Sequence, residues 1–407
     1  MGTPHQTRRY DPLGLAPRNG LSGIAVPMKT ELTRLDLACW GGFMMFATSG
    51  VVTPICLPEI SSALSISLSE SGGLETARTC LLLIVLILSG ILARKWGKKH
   101  FVTWGQYLLA IGLLMISYAD SYPMLILSLM VTGIGGGFTE ALINPLIIDI
   151  HPKDSGKYLN ITNAFYPVGV LVSALLFGEL LTLGYSWRLV FRIASAGAFF
   201  MGVLFHLSRF PLPVADQQSS KHLIAQILKT PKFWLFAIAI FLGAGIEAAF
   251  TFWSRSYVET YLQDMPRAGA IAVVVFAITM ALGRLLSAKL SQMISLKTLM
   301  LGSAILGVVV SSGIPFSENL IGFYILLLFA GFATACFWPT ILAEAAEHLS
   351  FDTTLLFVVL ACFGIAGFGI VPWIMGVIGD TASLKAGFSI IPGLFIGLII
   401  VLAFTRR

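Results

Sequence analysis

The feature that most constrains the fold is a series of apolar stretches, each about 20 residues long, that recur from Leu35 to Phe404. Hydrophobic residues make up 57% of the sequence and charged residues 11%, whereas a soluble domain carries roughly 25% charged residues. The mean hydropathy is +0.87. A soluble core cannot hold that much apolar surface, so the sequence predicts an α-helical integral membrane protein.

Counting the apolar stretches between charged residues and Pro or Gly breaks predicts twelve membrane-spanning helices. They are Leu35–Leu57, Gly72–Ala93, Phe101–Tyr118, Tyr122–Ile150, Tyr158–Thr182, Trp187–Leu207, Phe233–Tyr257, Ala268–Leu290, Leu296–Ile314, Leu320–Ala345, Thr353–Met375 and Ala386–Phe404. We expect an all-α fold of two pseudo-symmetric six-helix bundles, residues 35–207 and 233–407. Residues 1–34 then form an N-terminal tail, and the polar segment 208–232 links the bundles.

Lys and Arg residues lie mainly in the segments on one side of this threading, including the linker and the last two residues of the chain. Basic segments stay on the cytoplasmic side of a membrane. The net charge of +6 therefore indicates orientation and gives no sign of nucleic-acid binding. We expect both termini to be cytoplasmic, and we expect a monomer in a bacterial plasma membrane.

The fifth and eleventh predicted spans share one spacing pattern: Phe165, Gly169 and Gly178 in the fifth, and Phe363, Gly367 and Gly376 in the eleventh. Parallel repeats around a site at the membrane midplane are typical of alternating-access carriers. Chance repetition in Gly-rich helices is the alternative.

Glu140 lies in the fourth predicted span, and Asn144 follows four residues later on the same helical face. A carboxylate at membrane depth costs about 2.5 to 3.5 kcal/mol on insertion scales. We therefore expect this face to line a central cavity, where Glu140 gains and loses a proton as water access alternates. A structural contact with a neighbouring helix is the alternative.

Two further sets of residues are candidate solute contacts. Asn160 and Asn163 share a face in the fifth span, and their amides suit sugar hydroxyls because they both donate and accept hydrogen bonds. Glu247 and Trp253 in the seventh span, with Trp338 beside a Pro break in the tenth, add a carboxylate and aromatic faces. Interhelical hydrogen bonding and lipid-facing packing are the alternatives.

Other charged residues suit salt bridges or gates. Glu75 and Arg78 lie one turn apart in the second span, where an ion pair would neutralise both charges. Asp149 and Glu344 lie at the predicted cytoplasmic ends of helices, where solvated loops are the alternative.

No enzyme, metal or cofactor site is predicted. The five Cys and six His residues are scattered, and the sequence contains no GxxxxGK[ST], HExxH or GxSxG motif. A polytopic membrane enzyme or sensor would need a catalytic cluster or a soluble domain, and neither is visible.

The loop after the second span, Gly90–Lys99, reads GILARKWGKK. It resembles the G-x-L-x-D-R-x-G-R-K signature of the major facilitator superfamily, although Arg94 stands where that family has Asp. The resemblance implies a loop that pairs with Asp149 when the inner side is closed.

Longer matches follow in both halves: GFTEALINP at 137–145, LNITNAFYPVG at 159–169, GIE at 245–247, FWPT at 337–340 and IVPWIMG at 370–376. Together they resemble the fucose:proton symporter branch of the superfamily. Asn163 and Tyr166 stand where that branch has Gln and Asn, so the resemblance implies that both contact solute. The first span reads TPICLP at 53–58 and lacks the Asp that the branch carries before its Pro.

The resemblance implies import of a monosaccharide or similar small polar solute by alternating access, coupled to protons through Glu140. Because the first-span Asp is missing, three alternatives stay open: an uncoupled sugar transporter, a sodium-coupled sugar transporter and an exporter of amphipathic compounds.

Overall fold

The computed structural model describes residues 32–152, 154–211, 220–351 and 353–405. All regular secondary structure in that part of the chain is helical. The helices of the first half and the linker are α1 (Arg34–Leu64), α2 (Leu68–Trp96), α3 (Lys98–Ser117), α4 (Tyr122–Ile150), α5 (Ser155–Thr182), α6 (Trp187–Leu207) and α7 (Ser220–Lys229). The second half comprises α8 (Pro231–Tyr261), α9 (Pro266–Leu290), α10 (Leu296–Gly313), α11 (Leu320–Thr334), α12 (Phe337–His348), α13 (Thr353–Thr381), α14 (Leu384–Phe388) and α15 (Ile391–Phe404).

Twelve segments of the described chain are long and apolar enough to cross a membrane, which confirms the predicted number of spans. The tenth span is broken, because α11 ends at Thr334 and α12 begins at Phe337. Pro339 lies in the first turn of α12, where its missing N–H costs no hydrogen bond. The twelfth span is likewise divided into α14 and α15, and α7 adds an unpredicted helix in the linker.

The first span is longer than predicted. The sequence places its end at Leu57, before Pro58, but α1 continues to Leu64 with Pro54 and Pro58 inside the helix. Its partner α2 begins with a capping box, in which the Ser67 hydroxyl accepts from the Glu70 N–H and the Glu70 carboxylate accepts from the Ser67 N–H. The turn between α1 and α2 is therefore short and well defined.

Because the chain crosses the membrane twelve times, the first spanning helix begins on the same side on which the last spanning helix ends. We call this side the terminal face, at which α1 begins and α15 ends, and we call the other side the opposite face. The His151 ring contacts the Asp36 carboxylate at 2.6 Å and joins the end of α4 to the start of α1. Lys297 donates to the Ala403 carbonyl at 3.1 Å and joins the start of α10 to the end of α15.

The spacing shared by the fifth and eleventh spans has a packing role. Gly169 of α5 lies against the Met44 carbonyl of α1, and Gly367 of α13 lies against the Phe241 carbonyl of α8. A Cβ atom at either glycine would crowd that backbone oxygen, so both helix pairs depend on glycine for their close approach. The two contacts are equivalent under an exchange of the halves.

The second glycine of each pattern joins the halves to each other. Gly178 of α5 contacts Ala270 of α9, and Gly376 of α13 contacts the Leu68 carbonyl of α2. Each half thus lends one helix to a contact with the second span of the other half. Residues 34–407 pack as one unit, and the domain limits 35–207 and 233–407 stay a prediction.

Candidate solute-binding site

A cavity of about 220 Å³ lies between the two halves, and we call it the central cavity. Its walls come from α1, α2 and α5 of the first half and from α8, α9 and α13 of the second. The lining residues are Ala47, Gly50, Val51, Pro54, Glu75, Arg78, Tyr166, Pro167, Val170, Glu247, Ala248, Thr251, Phe252, Ala277, Met280, Ala281, Arg284, Phe368 and Pro372. The lining is largely apolar, and it carries charged side chains from both halves.

The charges of the first half form one tight ion pair. The Arg78 Nε donates to both Glu75 oxygens at 3.2 and 3.1 Å, and its Nη2 donates to Glu75 Oε1 at 2.5 Å. Both side chains are buried, because the i,i+3 spacing on α2 turns them to the same inward face. The Arg78 Nη1 is buried and has no hydrogen-bond partner among the described residues.

The charges of the second half lie on two helices and are loosely paired. Glu247 of α8 and Arg284 of α9 approach to 3.6 Å, beyond hydrogen-bonding distance. The Glu247 side chain is 15% exposed and that of Arg284 is 44% exposed. Arg284 also contacts the Met280 sulfur at 3.9 Å.

Tyr166 completes the polar lining on the α5 side. Its ring packs against Phe43 and Phe46 of α1, with centroids 5.9 and 5.8 Å away. These aromatic contacts hold the ring in the cavity lining, and the predicted contact of Tyr166 with solute stays a prediction.

The cavity is sealed at the opposite face by contacts that join the halves. Arg255 of α8, which is fully buried, binds Glu59 of α1 at 2.5 Å and Glu259 on its own helix at 2.5 Å. The Glu59 Oε2 and the Arg255 Nη1 have no further hydrogen-bond partner.

Two other contacts reinforce this seal. The Asp380 carboxylate at the end of α13 accepts from the Leu68 and Ser69 N–H groups at 2.7 and 2.9 Å, which caps the start of α2. Arg267 of α9 forms a bidentate ion pair with Glu179 of α5 at 2.6 Å for each bond. On the other side of the cavity, Asn163 is exposed one turn from Tyr166.

The predicted amides lie nearer the terminal face than the cavity lining does. The Asn163 side-chain amide donates to the side-chain Oδ1 of Asn144 at 3.1 Å and to the backbone carbonyl of Leu159 at 2.8 Å. Glu140 is half-buried one turn before Asn144 on α4 and forms no ion pair within the described part of the chain. The side chain of Asn160 lies outside the described residues.

The predicted tryptophans lie outside the cavity lining. Trp253 is fully buried, and its Nε1 donates to the Pro372 carbonyl at 3.0 Å. Trp338 is half-buried and packs over Gly364 of α13. Both rings therefore serve helix packing in this arrangement.

The remaining gate candidates lie near the terminal face. Lys98 binds Asp149 at 2.6 Å and also donates to the Pro145 carbonyl at 3.2 Å. Glu344 lies 3.9 Å from His348 on its own helix. The side chain of Arg94 lies outside the described residues, so its predicted pairing with Asp149 stays a prediction.

Sequence reasoning did not single out Arg284 or the Glu59–Arg255 pair. A signal was present, because Arg284 is a cation inside a span that is otherwise apolar, and such residues mark functional sites in membranes. Arg255 and Glu59 lie near the ends of their spans, where charged residues are common. Nothing local marks them as partners.

The family model of the Major Facilitator Superfamily matches residues 38–318. The chain belongs to the Major Facilitator Superfamily. Its fold and family are those of transporters and not of enzymes, and its twelve spans make it an integral membrane protein.

Two curated relatives match most of the chain. The membrane protein MosC of Rhizobium meliloti is 24% identical over 394 residues, which cover 94% of this chain and 90% of the relative. The L-fucose-proton symporter of Escherichia coli K12 is 24% identical over 404 residues, covering 89% of this chain and 90% of the relative. These matches support the resemblance to the symporter branch.

The fold is also similar to that of a solved D-xylose-proton symporter. The TM-score is 0.74 at 14% sequence identity, and the alignment covers 92% of this chain and 97% of the other. The predicted fold of twelve helices in two pseudo-symmetric bundles is confirmed.

Proposed function

We propose that this transporter imports a monosaccharide or a similar small polar solute across a bacterial plasma membrane, with both termini in the cytoplasm. One observation carries the proposal: a solute-sized cavity lies between the halves and is sealed at the opposite face by ion pairs that join them. The relatives named as sugar-proton symporters support the class of solute.

Alternating access follows from where the contacts between the halves lie. Separating Glu59 from Arg255 and Asp380 from the start of α2 would open the cavity at the opposite face. The same rotation would bring the terminal ends of the helices together. A solute that binds in the cavity from the outside would then leave at the terminal face, which is cytoplasmic in the proposed orientation.

We infer that Glu140 couples transport to protons. It is half-buried, it has no cation partner in the described part of the chain, and it lies one turn before Asn144 on α4. Burial without a cation disfavours the charged carboxylate, so a change in its access to water changes whether it holds a proton. Asn144 and Asn163 would contact solute on its way to the terminal face.

The test is uptake by proteoliposomes that contain the purified chain, with and without a proton gradient directed into the vesicles. The solutes are radiolabelled L-fucose, D-xylose, D-glucose and myo-inositol. A transported sugar should accumulate only with the gradient, and Glu140→Gln should abolish accumulation while counterflow exchange continues. Glu318→Gln, the same change in an exposed loop, serves as the control.

Failure can take two forms. If Glu140→Gln accumulates solute as well as the unaltered chain does, Glu140 is not the coupling residue. If none of the four solutes is transported or exchanged, the chain does not import these neutral monosaccharides and polyols.

A second candidate function is export of amphipathic compounds, and the apolar part of the cavity lining supports it. Val51, Phe252, Met280 and Phe368 line the same space as the charged residues. Energised uptake of a fluorescent amphipathic cation into inside-out vesicles, which is the direction of export, would distinguish this function from sugar uptake.

A further inference from the structure

The four charged side chains of the central cavity are not equivalent in their hydrogen bonding. Glu75 accepts three hydrogen bonds from Arg78, and these occupy both of its oxygens. Glu247 and Arg284, in contrast, lie 3.6 Å apart and share no hydrogen bond. The donors and acceptors that remain for a solute therefore belong mainly to Glu247 and Arg284, together with the N–H groups of Arg78 that do not contact Glu75.

N–H donors outnumber carboxylate acceptors in this remaining capacity. The Arg78 Nη1 is buried with no partner, although Arg78 itself lines the cavity. A guanidinium has five N–H donors, and the contacts of Arg284 are limited to the Met280 sulfur and the distant Glu247 oxygen within the described chain. Glu247 contributes two carboxylate oxygens as acceptors. A solute that matches this site is therefore rich in hydrogen-bond acceptors.

Arg284 is also sterically accessible from the cavity. Its side chain is 44% exposed, and Ala277 and Ala281 precede it on the cavity side of α9. On the facing helix, Glu247 is followed by Ala248. Small side chains on both walls leave space for a ligand beside the guanidinium.

We propose that the transported solute is a sugar acid, a hydroxylated compound of monosaccharide size with a carboxylate that Arg284 binds. This inference rests on the proposed function and narrows its class of solute. The planar guanidinium matches a carboxylate with two parallel hydrogen bonds. A ligand carboxylate closer than 3.6 Å would form the hydrogen bond with Arg284 that Glu247 does not form.

An amino sugar fits the same cavity less well. An ammonium group needs a free carboxylate, but the Glu75 oxygens are occupied by Arg78. Glu247 has free oxygens, but its side chain is 15% exposed whereas that of Arg284 is 44% exposed, so the cation is the more accessible partner.

Matched pairs of ligands test the proposal on the full-length purified chain in detergent. D-Glucuronate is compared with D-glucose, D-galacturonate with D-galactose and D-gluconate with sorbitol, each by isothermal titration and thermal shift. Each pair differs chiefly by a carboxylate. We expect at least one acid to bind its site with an affinity about tenfold or more above that of its neutral partner, because a charged hydrogen bond increases affinity by that factor.

Arg284→Gln should remove this preference, so that an acid and its neutral partner bind within about twofold of each other. Arg192→Gln is the matched control, since Arg192 is an exposed arginine of α6 that stacks on Tyr118 outside the cavity. Size-exclusion profiles and melting temperatures show whether each variant is folded. Arg284→Lys, which keeps the charge but loses the planar fork, should retain part of the preference.

The outcomes separate this inference from the proposed function. If neutral sugars bind as tightly as their acids, the inference is overturned while sugar transport stands. If D-glucosamine binds more tightly than D-glucose and D-glucuronate, the charge assignment is reversed and the inference fails. If acids bind preferentially but Arg284→Gln keeps the preference, Arg284 is not the carboxylate site. Binding of no member of any pair would contradict both proposals.

Discussion

Replacing Glu59 with Gln removes a charge from the contact that seals the cavity at the opposite face. Glu59 is the partner of Arg255 on the other half, and its side chain is 26% exposed. Arg255 keeps Glu259 on its own helix, so the variant weakens the seal without leaving a buried cation unpaired. The perturbation therefore acts on the equilibrium between the two access states and has little effect on folding.

The magnitude follows from the hydrogen bond to the buried guanidinium. A hydrogen bond that involves a charged group contributes about 1.5 to 3 kcal/mol. Because each 1.4 kcal/mol corresponds to a factor of ten, complete loss of this bond corresponds to a shift toward opening at the opposite face of about 10- to 150-fold. Glu59→Gln keeps an acceptor oxygen but loses the charge, so we expect a shift in the lower part of that range. The contact forms only when the opposite face is closed, since it joins the two halves. Its loss therefore destabilises the closed state and leaves the open state unchanged.

The assay is a distance measurement by pulsed electron resonance. Spin labels replace Leu183 and Phe316, which are exposed at the opposite face in different halves, in a chain whose native cysteines are replaced. Glu179→Gln is the control, because its ion pair with Arg267 also joins the halves but is 43% and 49% exposed. Such exposed pairs contribute about 0 to 1 kcal/mol, which allows at most about a fivefold shift.

We expect Glu59→Gln to increase the long-distance population far more than Glu179→Gln does. Equal distance distributions in the two variants would refute the reasoning, because burial would then make no difference to the strength of the seal. A loss of folded protein in the Glu59→Gln variant alone would also contradict it.

Further predictions concern packing and buried charge. Gly367→Ala should lower the melting temperature, because the added Cβ crowds the Phe241 carbonyl and overpacking costs about 1 to 3 kcal/mol. Gly393→Ala is the control and should not lower it, because an added Cβ there meets no neighbouring atom within 4 Å. Arg78→Met should sharply reduce the yield of folded protein by leaving Glu75 buried without a cation, a loss of about 3 to 5 kcal/mol. The double variant with Glu75→Gln should recover that yield in size-exclusion chromatography but not solute uptake. Normal yield in the single variant would contradict the prediction.

The local pattern of the sequence was enough to predict which segments cross the membrane. Apolar length is a property of each segment alone, so the number of spans did not depend on knowing their neighbours. The broken tenth span shows the limit of this reasoning, because apolar length continues through Ala335 and Cys336 while the helix does not. Pro339 was visible in the sequence as a break within the tenth span, but the sequence did not show that one helix ends at Thr334 and another begins at Phe337.

The candidate site was only partly accessible to the same reasoning. Glu75 and Arg78 are neighbours on one helix, so their spacing predicted an ion pair, and the structure contains that pair. Glu247 and Arg284 lie 37 positions apart on different helices, and no periodicity connects them. The roles of Glu140, Asn144 and Asn163 stay predictions, since their positions near the terminal face are compatible with transport but do not test it.

The sequence by itself determined that the chain crosses a membrane twelve times in two related halves. Helix length and hydrophobicity are set residue by residue, and the glycine spacing of α5 recurs in α13. Only the tertiary structure decided which polar side chains meet in the cavity and which ones seal it. Those contacts join helices from distant parts of the chain, and their geometry depends on how each helix is rotated about its axis, which spacing along one helix does not specify.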